Sequence, residues 1–124
     1  MIKKIVKGNL TEIVNTSNNK VMLSALKVIK GGSIILKIKG SVKTPSAAAL
    51  TETIMENIAV TNNLIIDLAE VEYMASSGLR ALLAAQKYAD DSDDDVNMTV
   101  RNPNDEITEV FEMTGFDNIL NIEK

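Results

Sequence analysis

Cysteine, histidine and tryptophan are all absent from the sequence. Without cysteine there are no disulfides and no thiolate nucleophiles, and without cysteine and histidine the common zinc sites are excluded. The lack of histidine also excludes Ser-His-Asp triads and imidazole acid–base catalysis. Aromatic residues make up only 3% of the chain, so the core must be aliphatic. We therefore expect no catalytic centre, no metal site and no cofactor.

Long apolar runs are missing as well. The longest unbroken run, residues 81–85, is far shorter than the roughly 18 residues that suggest a membrane-spanning helix. Near the start, the polar segment Lys7-Gly8-Asn9 interrupts the position where a signal peptide needs about seven or more apolar residues. The length of 124 residues fits one domain with a sizeable core. We expect a soluble cytoplasmic protein that does not insert into membranes.

The net charge of −4 conceals two halves of opposite sign. Residues 1–43 hold nine lysines and one glutamate, whereas residues 44–124 hold sixteen acidic and four basic residues. These halves either offset each other as faces of one domain or create a field that steers a partner. Because the basic half has no interleaved aromatic residues, we expect no direct binding of nucleic acid.

Five of the acids lie between Asp90 and Asp95. The tract resembles a calcium-binding loop in composition only. Val96 stands where such a loop needs a glycine, and Asn102 stands where it needs a bidentate glutamate. We therefore predict a solvated surface loop that joins the second helix to the next strand.

Two apolar, β-rich runs, 21–30 and 33–39, are separated by Gly31-Gly32. This pattern predicts a hairpin, because two glycines readily supply the positive φ angles of a tight turn. The N-terminal residues are less clear, with a hairpin around Gly8-Asn9 and a polar loop over 15–20 as one interpretation. We therefore divide the chain into an N-terminal extension of uncertain structure, 1–20, and a domain, 21–124.

After the hairpin, helical and strand patterns alternate. Thr44-Pro45 predicts a helix start with Thr44 as N-cap, and a short apolar strand follows at 64–68. A second helix, a strand at 97–100 and a third helix from Asn102-Pro103 come next, and Gly115 is the predicted C-cap of the last helix. The order ββαβαβα indicates a single α/β domain with a mixed sheet of four to five strands.

One segment, residues 64–83, combines a buried strand, a loop, Ser76-Ser77-Gly78 and a helix. A serine hydroxyl at the helix start can cap free backbone N–H groups. Gly78 falls in the first turn, where glycine costs about 1 kcal/mol relative to alanine. Either this is an ordinary cap with an incidental glycine, or the backbone there passes close to another chain or to an anion.

The same segment resembles the signature of the STAS domain, in particular that of bacterial anti-sigma factor antagonists. Asp67-Leu68 and Ser76-Ser77-Gly78-Leu79 match that signature in residues and in spacing. Residues 110–116 resemble the C-terminal helix of the family, and the strand that ends at Gly40 resembles its Gly-x-x-Asp segment. Two family acids are missing, because Ala75 and Lys43 stand in their places.

The resemblance implies a switch by phosphorylation. In the family the first serine of the motif, here Ser76, is phosphorylated by a partner that is both anti-sigma factor and serine kinase. The unmodified antagonist binds this partner and so frees the sigma factor, and phosphorylation ends the binding. The partner-binding residues implied here are Lys43, Thr44, Ala75, Ser76, Ser77 and Gly78.

Other roles stay open alongside this one. The chain could be a non-switching STAS scaffold or an accessory subunit of a membrane transporter, in which the serine only caps its helix. Ala75 and Lys43 favour that alternative. A STAS domain that binds a small molecule or nucleotide has no support beyond the fold.

Overall fold

The computed structural model of the chain describes all 124 residues. The strands are β1 (Ile2–Lys7), β2 (Leu10–Asn15), β3 (Lys20–Lys30), β4 (Ser33–Val42), β5 (Asn63–Met74), β6 (Asn97–Arg101) and β7 (Ile122–Glu123). The helices are α1 (Thr44–Ile58), α2 (Ser76–Asp91) and α3 (Asp105–Thr114), and a 3₁₀ turn follows at Phe116–Asn118.

All strands belong to one sheet, and their order in space is their order along the chain. Strands β1 to β4 pair antiparallel, and β4 to β7 pair parallel. The α/β class and the mixed sheet are confirmed, but the expected four to five strands are seven. The hairpin β1–β2, which turns at Gly8-Asn9 as suggested, and the two-residue β7 account for the additional strands.

The hairpin between β3 and β4 is confirmed, and its turn depends on one glycine rather than two. Gly31 has a φ of +61°, whereas Gly32 lies outside the positive-φ region. A tight turn that needs a positive φ at its first central residue alone has this pattern, and it matches the right-handed twist of the strands.

The three helices cover one face of the sheet and leave the other face open. Their buried residues form one core cluster of 25 residues with the inward positions of the strands, such as Leu36, Ile66 and Val100. The predicted stripe of α1 is confirmed, because Ala47, Leu50, Ile54 and Ile58 are all buried. Burial of an aliphatic side chain contributes about 1.5–3 kcal/mol, so this packing holds α1 in place.

Two helix starts differ from the prediction by one to three residues. Lys43 is the N-cap of α1 and Thr44 is already helical, so Thr44 is not the cap. At α3 the cap is Asn104, whose side chain accepts a hydrogen bond from the Ile107 N–H at 2.8 Å, and Asn102-Pro103 precedes the helix. The predicted C-cap is confirmed, since Gly115 has a φ of +78°.

Strand β5 is longer than the apolar run that predicted it. The predicted loop after 64–68 is mostly strand, because Tyr73 and Met74 pair with Ser41 and Val42 of β4. The acidic tract is only partly a loop, since Asp90 and Asp91 close α2. No group of three or more acidic side chains is arranged to hold a metal ion. None of the helices has the length and apolar character needed to cross a membrane.

Strand β1 is joined to α1 by ion pairs between one lysine and two glutamates. The Nζ atom of Lys4 lies 2.7 Å from Oε1 of Glu52 and 2.8 Å from Oε1 of Glu56. Desolvation lowers the pKa of Lys4, but the hydrogen bonds to both glutamates outweigh it, so its pKa lies above the usual value. The hydrogen bond from Lys4 lowers the pKa of Glu52. The contact therefore strengthens once Glu52 ionises and weakens as the pH falls through its pKa.

We expect Lys4→Gln to loosen the N-terminal hairpin without unfolding the domain. Amide hydrogen exchange in β1 should quicken, because local opening no longer breaks an ion pair. Lys3→Gln is the matched control, since Lys3 is exposed and makes no ion pair. The difference between the two variants should shrink as the pH falls through the pKa of Glu52. Equal exchange in both variants at neutral pH would contradict this role for Lys4.

Candidate functional site

The candidate site lies where two parallel strands end and two helices begin. Strands β4 and β5 are neighbours whose last residues, Val42 and Met74, are paired. Helix α1 begins two residues after Val42, and α2 begins two residues after Met74. The carboxyl ends of parallel strands meet at one edge of a sheet, so the two helix starts lie side by side.

Two hydrogen bonds join these helix starts. The Ala75 N–H donates to the Val42 carbonyl at 2.8 Å, which continues the pairing of β4 with β5 up to the residue just before α2. The Ser77 hydroxyl donates to the Thr44 hydroxyl at 3.4 Å, a long and weak contact. The structure thus brings Lys43 and Thr44 close to Ala75 and the two serines.

Ser76 is exposed and does not cap its helix. The N-cap of α2 is Ala75, and no side chain makes a capping hydrogen bond there. A capping hydroxyl must belong to the residue just before the first helical residue, and Ser76 is one residue too late. The predicted serine cap is therefore wrong, and the hydroxyl of Ser76 is left facing solvent together with exposed Lys43 and Thr44.

Gly78 is buried against the ends of β4 and β5. A Cβ atom at this position would lie 2.7 Å from Cγ1 of Val42 and 2.8 Å from Cγ of Met74. Both distances are shorter than real carbon contacts allow, so only glycine lets α2 approach the sheet this closely. The close approach that the sequence suggested is to this chain's own core, and Gly78 does not offer its backbone to a partner.

The electrostatic character of the edge favours an anion. Two helices of 15 and 16 residues present their N-termini here, and neither has an acidic residue in its first turn. The unpaired N–H groups and the macrodipole give each helix start a partial positive charge. Lys43 adds a full charge at the N-cap of α1. A negatively charged group on Ser76 would therefore be stabilised by its surroundings.

A small apolar cleft, which the sequence did not reveal, lies next to the serines between α2, α3 and the end of β5. It has a volume of about 40 Å³ and is lined by Tyr73, Met74, Leu79, Glu106, Ile107 and Val110. Tyr73 is 49% exposed at the rim of this cleft. The residue was overlooked because it lay in a predicted loop, and its only signal was its nearness to Ser76.

We expect Gly78→Ala to destabilise the domain. Overpacking costs about 1–3 kcal/mol, which equals or exceeds the roughly 1 kcal/mol that alanine gains in helix propensity. Urea unfolding measures the difference, with Ser77→Ala as the control at the neighbouring position. The penalty should shrink in a Val42→Ala background, where the colliding methyl is gone. A penalty that is the same in both backgrounds would show that Val42 is not the contact that matters.

Ala75→Asp is expected to stabilise the domain by about 0.5–2 kcal/mol. Position 75 is the N-cap of α2 and is only half-buried, so a carboxylate there can accept from the first-turn N–H groups and remain hydrated. Thermal unfolding at neutral pH measures the gain. Ala75→Asn is the uncharged control, which should retain the capping contribution and lose the charge contribution. A loss of stability in both variants would contradict the assignment of Ala75 as the cap.

Comparison with known proteins places this geometry in a family. The sequence profile of the STAS domain matches residues 24–124. No curated protein matches the sequence significantly. An anti-sigma factor antagonist from Mycobacterium paratuberculosis has a similar structure, with a TM-score of 0.72, 22% identity, and coverage of 82% of this chain and 85% of that one.

Two further solved structures share the fold. The anti-sigma factor antagonist SpoIIAA in its unphosphorylated form has a TM-score of 0.66 and 14% identity, covering 81% of this chain and 88% of that one. A sulfate transporter family protein from Wolinella succinogenes has a TM-score of 0.64 and 18% identity, covering 78% and 80%. At these identities the likeness is one of fold alone. The profile covers most of the chain, and together with this fold it identifies the protein as a member of the STAS domain family.

Proposed function

We propose that this protein is an anti-sigma factor antagonist that works by partner switching, with Ser76 as the switch. The observation that carries the proposal is the state of Ser76, which is exposed, free of any capping role and placed at the edge where α1 and α2 both begin. Membership of the STAS family supports it. So does the fold shared with antagonists, one of which is known in both unphosphorylated and phosphorylated forms.

The partner in this proposal is an anti-sigma factor with serine kinase activity. The unphosphorylated protein binds it in the cytoplasm and releases the sigma factor, and the partner then phosphorylates Ser76 and dissociates. Lys43, Thr44, Ala75 and Ser77 border the serine and form the contact surface, whereas Gly78 acts indirectly by seating α2. The protein acts by binding and not by catalysis, and the STAS-like domain of 21–124 carries the contact.

A phosphate on Ser76 would have opposite effects on the free protein and on the complex with the partner. A phosphoserine carries about −1.5 to −2 charges, which the two helix starts and Lys43 stabilise in the free protein. In a dry interface the phosphate must lose its water, at a cost of several kcal/mol unless cations meet it there. A loss of about 4 kcal/mol weakens binding roughly a thousandfold, which is enough for a switch.

Lys43 and Ala75 stand where the family pattern has acidic residues, and each changes how phosphorylation of Ser76 would work. Lys43 replaces an acid with a cation at the N-cap of α1, so it lowers the cost of placing a phosphate on Ser76. Ala75 removes a carboxylate from the position before the serine, so a kinase cannot use a carboxylate there for recognition. The protein should therefore hold a phosphate well, while its kinase must recognise other features, such as Tyr73.

A second candidate is a STAS module that does not switch, such as an accessory subunit of a membrane transporter. Ala75 favours this alternative, since it removes an acid next to the modified serine. The fold shared with a sulfate transporter family protein from Wolinella succinogenes also favours it. In that case Ser76 would never be phosphorylated, and its exposed hydroxyl would have no regulatory role.

Incubation with the cognate kinase and ATP, followed by mass spectrometric mapping of the site, tests the proposal. We expect phosphate on Ser76. Ser76→Ala should fold normally and bind the partner constitutively, whereas Ser76→Asp should fold and bind at least about a hundredfold more weakly. Ser92→Asp is the matched control, because it places the same charge at the opposite end of α2, away from the contact surface, and should bind like the wild type. Phosphate on Ser77 or on neither serine would reject the assignment, and the second outcome would favour the non-switching module.

A further inference from the structure

The face of the sheet that carries no helix has an unusual aliphatic centre. An exposed sheet face normally bears polar side chains at its outward positions. Here several outward positions near the middle of the sheet are aliphatic, among polar and charged ones, and Leu26 is 42% exposed. We call this group the sheet surface: Leu10, Leu26, Val28, Ile35 and Ile65.

The strand register makes the sheet surface continuous. Leu10 lies opposite Leu26, and Val28, Ile35 and Ile65 form a row across three strands. A groove of about 410 Å³ crosses the adjoining part of this face, with Leu10 and Leu26 in its lining. Clustered aliphatic side chains on an open face are typical of a protein interaction surface.

Lysines flank the sheet surface. Lys37 lies opposite Leu26 in the register, and Lys30 lies opposite Ser33 at the far end of the same two strands. Both side chains are exposed, and neither makes an ion pair. Asp67 lies beside Lys37 in the register, but its carboxylate accepts hydrogen bonds from the Ala69 N–H and the Asn102 side chain. The sheet surface therefore attracts a partner that is both apolar and acidic.

The opposite side of the molecule carries a surface of that chemistry. The outward side of α3, away from buried Ile107 and Phe111, holds three glutamates and an aliphatic side chain: Glu106, Glu109, Glu112 and Met113. Met113 is 78% exposed. No lysine or arginine occurs between Arg101 and Lys124, so nothing within this stretch of chain neutralises the glutamates. We call these four residues the helix surface.

We propose that the chain associates with a second copy of itself, the helix surface of one copy docking on the sheet surface of the next. Met113 then packs against the aliphatic row, and Glu109 and Glu112 face Lys30 and Lys37. The two surfaces lie on opposite sides of the sheet, so each bound copy still presents one free surface. Such a contact is heterologous, so it adds copies head to tail into open chains or rings and does not stop at a two-fold dimer.

Reversal of charge on each surface tests this pairing. Lys30→Glu/Lys37→Glu and Glu109→Lys/Glu112→Lys should each remain monomeric, with self-association at least about tenfold weaker. When the two double variants are mixed, or when all four substitutions are combined in one chain, the charges of the two surfaces are complementary again. Association should then return. Asp93→Lys/Asp94→Lys is the matched control for Glu109→Lys/Glu112→Lys, because it makes the same change of charge in the exposed loop after α2 and should associate like the wild type.

Sedimentation velocity over a range of protein concentrations is the measurement, at about 0.05 M and about 1 M NaCl. In low salt the average mass of the wild type should rise continuously with concentration, and in high salt, where charges are screened within about 3 Å, it should fall toward the monomer. Met113→Ser, at an exposed position, should weaken association independently of charge. A wild type that stays monomeric in low salt, a mass that stops at two copies, or a failure of the combined variant to associate would each overturn the proposal.

Discussion

The seating of α2 on the ends of β4 and β5 is the contact on which the site depends. Gly78 brings the helix against Val42 and Met74, and the Ala75 N–H continues the sheet pairing through the Val42 carbonyl. Because Gly78 and Leu79 are buried in the first turn of α2, Ser76 lies on the side of the helix that faces outward. The position of the exposed hydroxyl is thus a consequence of core packing, and no polar contact of its own is needed to hold it.

Periodic patterns explain why part of the fold could be predicted. Ile34, Leu36 and Ile38 lie on one side of β4 and Lys37 and Lys39 on the other, which defines the buried face, since side chains alternate across a strand. The spacing of Leu50 and Ile54 likewise defines the buried side of α1. In both cases residues close together in the sequence share one buried face, so the local pattern is enough to predict which side packs against the core. The STAS resemblance added the order of the remaining elements.

The features that could not be predicted are set by single residues or by contacts between residues far apart in the sequence. The N-caps Lys43 and Ala75 make no side-chain capping bond, so the better capping residues beside them, Thr44 and Ser76, were misleading signals. The second half of β5 is held by pairing with β4, a contact between residues about 32 positions apart, which no local pattern records. The burial of Gly78 could not be predicted either, because it depends on two side chains from other elements. The position of Tyr73 likewise depends on the pairing of β5 with β4.

The strands follow one another in the sheet in the same order as in the sequence. This order affects how the chain folds during synthesis. Each strand after β1 leaves the ribosome when one sheet neighbour has already been made. The connections are three short turns, followed by three crossovers that each contain one α-helix. No strand has to wait for a partner encoded further downstream, as it would in a sheet with interleaved order. Unpaired edges are therefore exposed only briefly, which limits mispairing with other nascent chains.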